Sequence, residues 1–239
     1  MVISFIFGFT VYSSILTINL EEIPSGPILV GLSIGFSSVA LIYSFLDICI
    51  AHFNPAITFA AILFRKIDVA EGIIYILSQC LGFVIAVGIV IMSFPGDSKK
   101  LLDILTPGPV NEKVSTGNLM STEIFLSGIL VFVCFAVAIN KKKKVAYQSE
   151  VDTDLLARVE DTSPDTTILG PLAIGLCLGF LAFLGNSTSG GAFNPALVFG
   201  PVLLGGKNGW KNSWKYWVAE FVGGFCGAGI QVLLTLEFY

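Results

Sequence analysis

The fold class this sequence predicts is an all-α membrane protein: six transmembrane helices plus two half-helices, arranged as an inverted repeat. Three observations predict it. The first is composition: of 239 residues, 54% are hydrophobic and only 13% charged, and the mean hydropathy is +0.85, whereas soluble domains carry about a quarter charged residues. The second is a set of six long apolar runs, near residues 2–20, 28–50, 69–94, 119–140, 168–186 and 214–236, each able to cross a hydrocarbon core of about 30 Å. The third is a pair of shorter apolar pieces, each opening on the same tripeptide. Six spans leave little chain for an aqueous domain, which excludes a soluble enzyme. A net charge of -4, from 13 Lys+Arg against 17 Asp+Glu, provides no basic face for nucleic acid.

The run 2–20 has neither a basic start nor a small-residue cleavage site, so it reads as the first span and not as a removable signal. The pieces 54–64 and 194–204 begin Asn54-Pro55-Ala56 and Asn194-Pro195-Ala196. Asn suits a helix cap and Pro its first turn. At about 1.5 Å per residue each piece covers roughly half a bilayer, so each is a half-helix that starts inside the membrane. The run Lys141 to Lys144, directly after the fourth span, belongs in the cytoplasm by the positive-inside rule, which puts both termini there too. Segment 141–167 is then a polar cytoplasmic loop and 95–118 an extracellular connection rich in turn formers.

The two tripeptides are offset by 140 residues, and the match extends from His52-Phe53-Asn54-Pro55-Ala56 to Ala192-Phe193-Asn194-Pro195-Ala196. Gln79 aligns with Glu220 at an offset of 141. The chain therefore divides into a first repeat, 1–118, and a second, 119–239. Each holds three full spans, an odd number, so the second must sit upside down relative to the first. The half-helices then enter from opposite faces and meet at the midplane.

Broken backbone inside lipid must be buried in protein or line a wet cavity. Two helix starts facing each other therefore imply a pore. Their free N–H groups and dipoles place partial positive charge at the junction, and the Asn54 and Asn194 amides can donate to a passing oxygen. That geometry interrupts a proton wire and repels cations while passing neutral hydrogen-bonding solutes.

Through these motifs the sequence resembles the aquaporin, or major intrinsic protein, family along essentially its whole length. His52-Phe53-Asn54-Pro55-Ala56-Ile57-Thr58 is nearly the family's first signature, and Phe193-Asn194-Pro195-Ala196 with Phe199-Gly200-Pro201 is most of its second. The resemblance implies a homotetramer with one pore per subunit, membrane lipids around it, no cofactor and no catalysis. It also assigns the outer filter to Ile34, Ala182, Gly191 and Leu197. Leu197 stands where the family usually has Arg, and Val198 where glycerol-conducting members have Asp, which predicts a wider, more apolar filter. Glu123 matches the family's buried Glu, the acceptor for backbone N–H groups before a half-helix. Its repeat counterpart is Ser4, and Glu220 stands where the family often has Pro.

Asp47 and Glu220 are read either as hydrogen-bonding to broken backbone or as a proton relay or gate. His52, the single histidine, is either a neutral, hydrogen-bonded pore-lining residue or a pH-responsive one. Cys49, Cys80, Cys134, Cys177 and Cys226 lie singly in apolar runs and read as packed thiols without metal-binding spacing. The sequon at Asn186 lies too close to the second half-helix to be a glycosylation site. Loop 141–167 is either a tether or a lid over the cytoplasmic mouth. As a lid it would plug with Leu155, Leu156 and Val159, and Ser149, Ser163 or Thr166 would be sites where phosphorylation releases it. The expected function is a passive water channel. The alternatives are a broader channel for small neutral solutes (glycerol, urea, hydrogen peroxide or ammonia) or a poorly conducting adhesion or scaffold protein on the same fold.

Overall fold

A computed structural model describes residues 1–140, 166–206 and 209–236. Among them the chain forms α1 (Val2–Leu20), α2 (Gly26–Phe45), α3 (Pro55–Leu63), α4 (Val69–Ser93), α5 (Ser98–Leu105) and α6 (Thr116–Cys134), the last continued by a wider π-helical turn at Phe135–Ile139. Then follow α7 (Thr166–Gly185), α8 (Pro195–Leu203) and α9 (Gly209–Leu236). Helices α1, α2, α4, α6 with its π turn, and α9 are each long and apolar enough to cross a membrane, and the apolar part of α7 runs Leu169–Gly185. Leu32, Phe36, Leu77, Met92, Phe125 and Leu233 are among the large apolar side chains exposed on these helices, as lipid-facing flanks require.

The packing has a two-fold pattern. Helix α1 packs on α4 and α2 as α6 packs on α9 and α7; α3 lies on α4 and α9 as α8 lies on α9 and α4. The pairs α2·α7 and α3·α8 map onto themselves. Exchanging the first four long elements for the last four thus preserves the contact pattern, as repeats of three spans and a half-helix require.

Between helices in lipid no hydrophobic drive operates, so close backbone approach at small residues has to hold them together. At the α2·α7 crossing a Cβ added to Gly179 would come 2.9 Å from the Gly31 carbonyl oxygen, and one added to Gly31 would come 2.8 Å from that of Gly179. Gly128 on α6 meets the carbonyl of Gly223 on α9 in the same way, at 3.3 Å.

Several sequence expectations are corrected here. The second span ends at Phe45, short of residue 50, because the chain turns at 46–49 to reach the half-helix. The last span begins earlier, at Gly209. The connection 95–118 contains α5, whose Asp97 side chain accepts from Lys100 N at 2.9 Å and whose Leu101, Leu102 and Leu105 are buried. That signal, a capping Asp followed by leucines at helical spacing, was present in the sequence and outweighs the surrounding turn formers. Asp47 is exposed on the turn after α2 and takes no part in holding broken backbone. Cys226 is exposed on the flank of α9, so the packed-thiol reading fails for it. Thr166 opens α7 and so belongs to a helix. Ser149, Leu155, Leu156, Val159 and Ser163 lie outside the described residues.

Gly179→Ala is expected to destabilise by about 2 kcal/mol, since a carbonyl of the facing helix cannot move aside cheaply. Thermal unfolding in detergent should show a melting temperature several degrees below that of the parent protein; an unchanged value would mean that the crossing is looser than described.

Candidate functional site

Helices α3 and α8 begin on Pro55 and Pro195, with Asn54 and Asn194 as caps in extended backbone conformation. Each Asn folds its Oδ1 back onto its own helix, where Ala56 N donates at 2.9 Å and Ala196 N at 3.1 Å. Each then sends its amide into the opposite repeat: Asn54 Nδ2 donates to Phe193 O at 2.8 Å, and Asn194 Nδ2 to Phe53 O at 3.0 Å. The two half-helices are thus stitched end to end at their N-termini. An Asn amide carries two hydrogens, so one on each side chain remains after the stitch.

The turn into each half-helix has left-handed backbone at equivalent positions, Ala51 at φ 52° and Gly191 at φ 67°. Glycine takes this conformation without cost and alanine does not, so the first half carries local strain that the second avoids. Phe193, at φ 31°, adds strain in the second half at the residue whose carbonyl receives Asn54.

The turn before α8 is held by acids. Glu123 Oε1 accepts from Ala192 N at 3.1 Å and Oε2 from Phe193 N at 2.7 Å. Glu220 Oε1 accepts from Asn194 N at 2.9 Å. Tyr216 donates its hydroxyl to Ser189 O, Trp217 Nε1 donates to Pro195 O at 3.2 Å, and Tyr12 donates to Leu197 O at 2.7 Å. The turn before α3 uses neutral groups instead. Gln79 Nε2 donates to His52 O at 3.1 Å and to Thr58 Oγ1 at 2.9 Å. The Thr58 hydroxyl lies 3.2 Å from Asn54 O and 3.3 Å from His52 Nδ1. Having a single hydrogen, it donates to only one of them. Ser4, opposite in the repeat to Glu123, has a buried hydroxyl without a partner.

On the face away from the chain termini a cavity of about 370 Å³ reaches down to Asn194. Ile34, Ala182, Gly191 and Leu197, named separately from the sequence, all stand on its wall, together with Asn186, Ser189 and Thr106. Part of α5 and the chain after it, Ile104 to Gly108 and Val110, also lines it, and Val110 N donates to Thr188 O at 3.0 Å. Lys99 ties α5 down, pairing with Asp103 at 2.7 Å and donating to Gly205 O at 2.9 Å. Sequence reasoning missed this roof because it missed α5.

On the terminal face a cavity of only about 40 Å³ is lined by His52, Phe53, Ile42, Cys134, Ile139 and Ile174 among others. Beside it, Asn140 donates to Gln231 Oε1 at 2.8 Å and to Thr235 Oγ1 at 3.0 Å, and accepts from Lys66 Nζ. This knot joins the ends of α3, α6 and α9 just outside the π turn. The Asn junction separates the two cavities, so the arrangement supplies amide donors and two helix N-termini between two chambers. Among the described residues no group of three or more His, Cys, Asp or Glu could hold a metal ion.

Comparison with known proteins gives one consistent answer. The model of the major intrinsic protein family matches residues 1–231. The chain is 45% identical to an aquaporin of Encephalitozoon hellem over 99% of its own length and 92% of that protein's, and 44% identical to an aquaporin of Vairimorpha ceranae over 99% and 93%. Its fold is similar to the crystal structure of the aquaglyceroporin from Plasmodium falciparum, with a TM-score of 0.74 at 19% identity, over 98% of this chain and 96% of that one. With its transmembrane helices, this is an integral multi-pass membrane channel and not an enzyme. The chain belongs to the major intrinsic protein family.

Proposed function

We propose that this protein is a passive water channel whose path runs from the larger cavity, between Asn54 and Asn194, to the smaller one. The reciprocal stitch of the two Asn caps carries this reading: each amide keeps one hydrogen for a passing oxygen, between two helix N-termini that disfavour cations. Ile34, Ala182, Gly191 and Leu197 form the outer filter, and His52 lines the inner chamber. Because three of these residues carry apolar side chains, Gly191 carries none and no fixed charge stands among them, the filter also admits small neutral solutes larger than water. Both termini face the cytoplasm, and the subunits assemble as tetramers with one path each.

Reconstituted into liposomes, the protein should speed osmotic shrinkage well above that of empty vesicles, with weak temperature dependence, as read by stopped-flow light scattering. Equal rates with and without protein would remove the conduction reading and favour the scaffold alternative.

Leu197→Arg would place a fixed cation in the filter. Uptake of glycerol and urea should fall several-fold while water passage persists; uptake equal to that of the parent protein would show that Leu197 does not face the path.

The lid reading of loop 141–167 is open to the same assay. Replacing residues 149–165 by a short Gly/Ser linker should raise water permeability at equal protein density, and an unchanged value would leave the loop a tether.

A further inference from the structure

Two carboxyl groups, Glu123 on α6 and Glu220 on α9, are buried at 0% exposure beside the start of α8. They accept from three consecutive backbone N–H groups, those of Ala192, Phe193 and Asn194. Glu123 has both oxygens occupied, whereas Glu220 Oε2 has no hydrogen-bond partner. Among the described residues no cation compensates them, and the one ion pair is Lys99–Asp103, on the roof of the larger cavity. The neighbouring α3 and α8 contain no ionisable residue, and the remaining titratable neighbour, Tyr216, commits its hydroxyl to Ser189 O.

Two adjacent carboxylates in a buried, cation-free setting cannot both stay ionised; one proton serves the pair. The hydrogen bonds say where it sits. Glu123, with an N–H on each oxygen, is arranged as a carboxylate, and Glu220 has the free oxygen. The position equivalent to Glu220 in the other repeat is Gln79, a side chain neutral by its chemistry.

We propose that Glu123 and Glu220 share one proton carried on Glu220 Oε2, and that this proton makes Glu220 a specificity-determining residue for the exclusion of cations. The N-terminus of α8 supplies a positive charge of only about half a unit. With the N-terminus of α3 facing it, the junction carries about one unit, which the Glu123 carboxylate alone balances; a second full negative charge beside Asn194 would leave the junction net negative, and Leu197 provides no fixed cation in reserve. The consequence for exclusion rests on the conduction reading above; the shared proton itself does not.

Infrared spectroscopy of the full chain in a detergent without ester groups at neutral pH tests the proton directly, because solvated carboxyls are ionised there while a protonated buried acid keeps its C=O stretch. The band should be present in the parent protein and lost in Glu220→Gln. Absence of the band from the parent protein overturns the proposal, and so does a band that survives the substitution. Should Glu220→Gln fail to fold, Glu220→Met takes its place, and the band should be lost in that variant too. In proteoliposomes, sodium and proton leak through the parent protein should rise several-fold as the pH is taken alkaline enough to remove the band, and should stay low and flat in Glu220→Gln. A leak that ignores the loss of the band overturns the role in exclusion while leaving water conduction to stand or fall by its own assay.

Discussion

Each half-helix of this protein begins where the other begins, and the bond that makes this possible is the exchange of Asn amides for Phe carbonyls across the repeat. A helix start at mid-membrane leaves backbone N–H groups with no water to receive them. Here the Asn54 and Asn194 caps satisfy part of that demand within their own helices and then hold the opposite turn by its Phe193 or Phe53 carbonyl. Remove either amide and both turns lose a partner, because each Asn works on both sides of the junction. The surrounding spans serve that junction: α4 and α9 each carry one half-helix and brace the other.

The two repeats solve the same backbone problem with different chemistry. In the second, carboxyl groups on α6 and α9 collect N–H groups, and Gly191 takes the left-handed turn freely. In the first, Gln79 and Thr58 work through a carbonyl and a hydroxyl, and Ala51 takes the turn under strain. A fold built by repetition thus keeps its geometry while its polar supports drift apart.

The spans and half-helices were legible in the sequence because the membrane imposes a length and an apolar composition on each, and the doubled tripeptide fixed the repeat offset. The boundaries near Phe45 and Gly209 were less so, since apolar residues continue past Phe45 in the turn and polar Lys211 and Lys215 interrupt the start of α9. Helix α5 was masked by its flanking Pro and Gly. The residue pairs that build the junction could be named, but their partners could not: that Glu220 reaches Asn194 N depends on the packing of α9 against α8, which no local pattern encodes. Asp47 shows the converse, an acid that looked buried by sequence neighbourhood and is carried to the surface by a turn.

The chambers on the two sides of the junction differ about ninefold in volume, roughly 370 against 40 Å³. For a passive path this lopsidedness cannot rectify flow: at equilibrium every forward passage is matched by its reverse, so a dilute solute crosses equally readily from either side whatever the shape of the funnel. The asymmetry matters instead for molecules that enter and do not leave by the other end. A blocker too large for the junction has room to lodge on the roofed side and almost none on the terminal side, so occlusion of this path would be one-sided even though permeation is not.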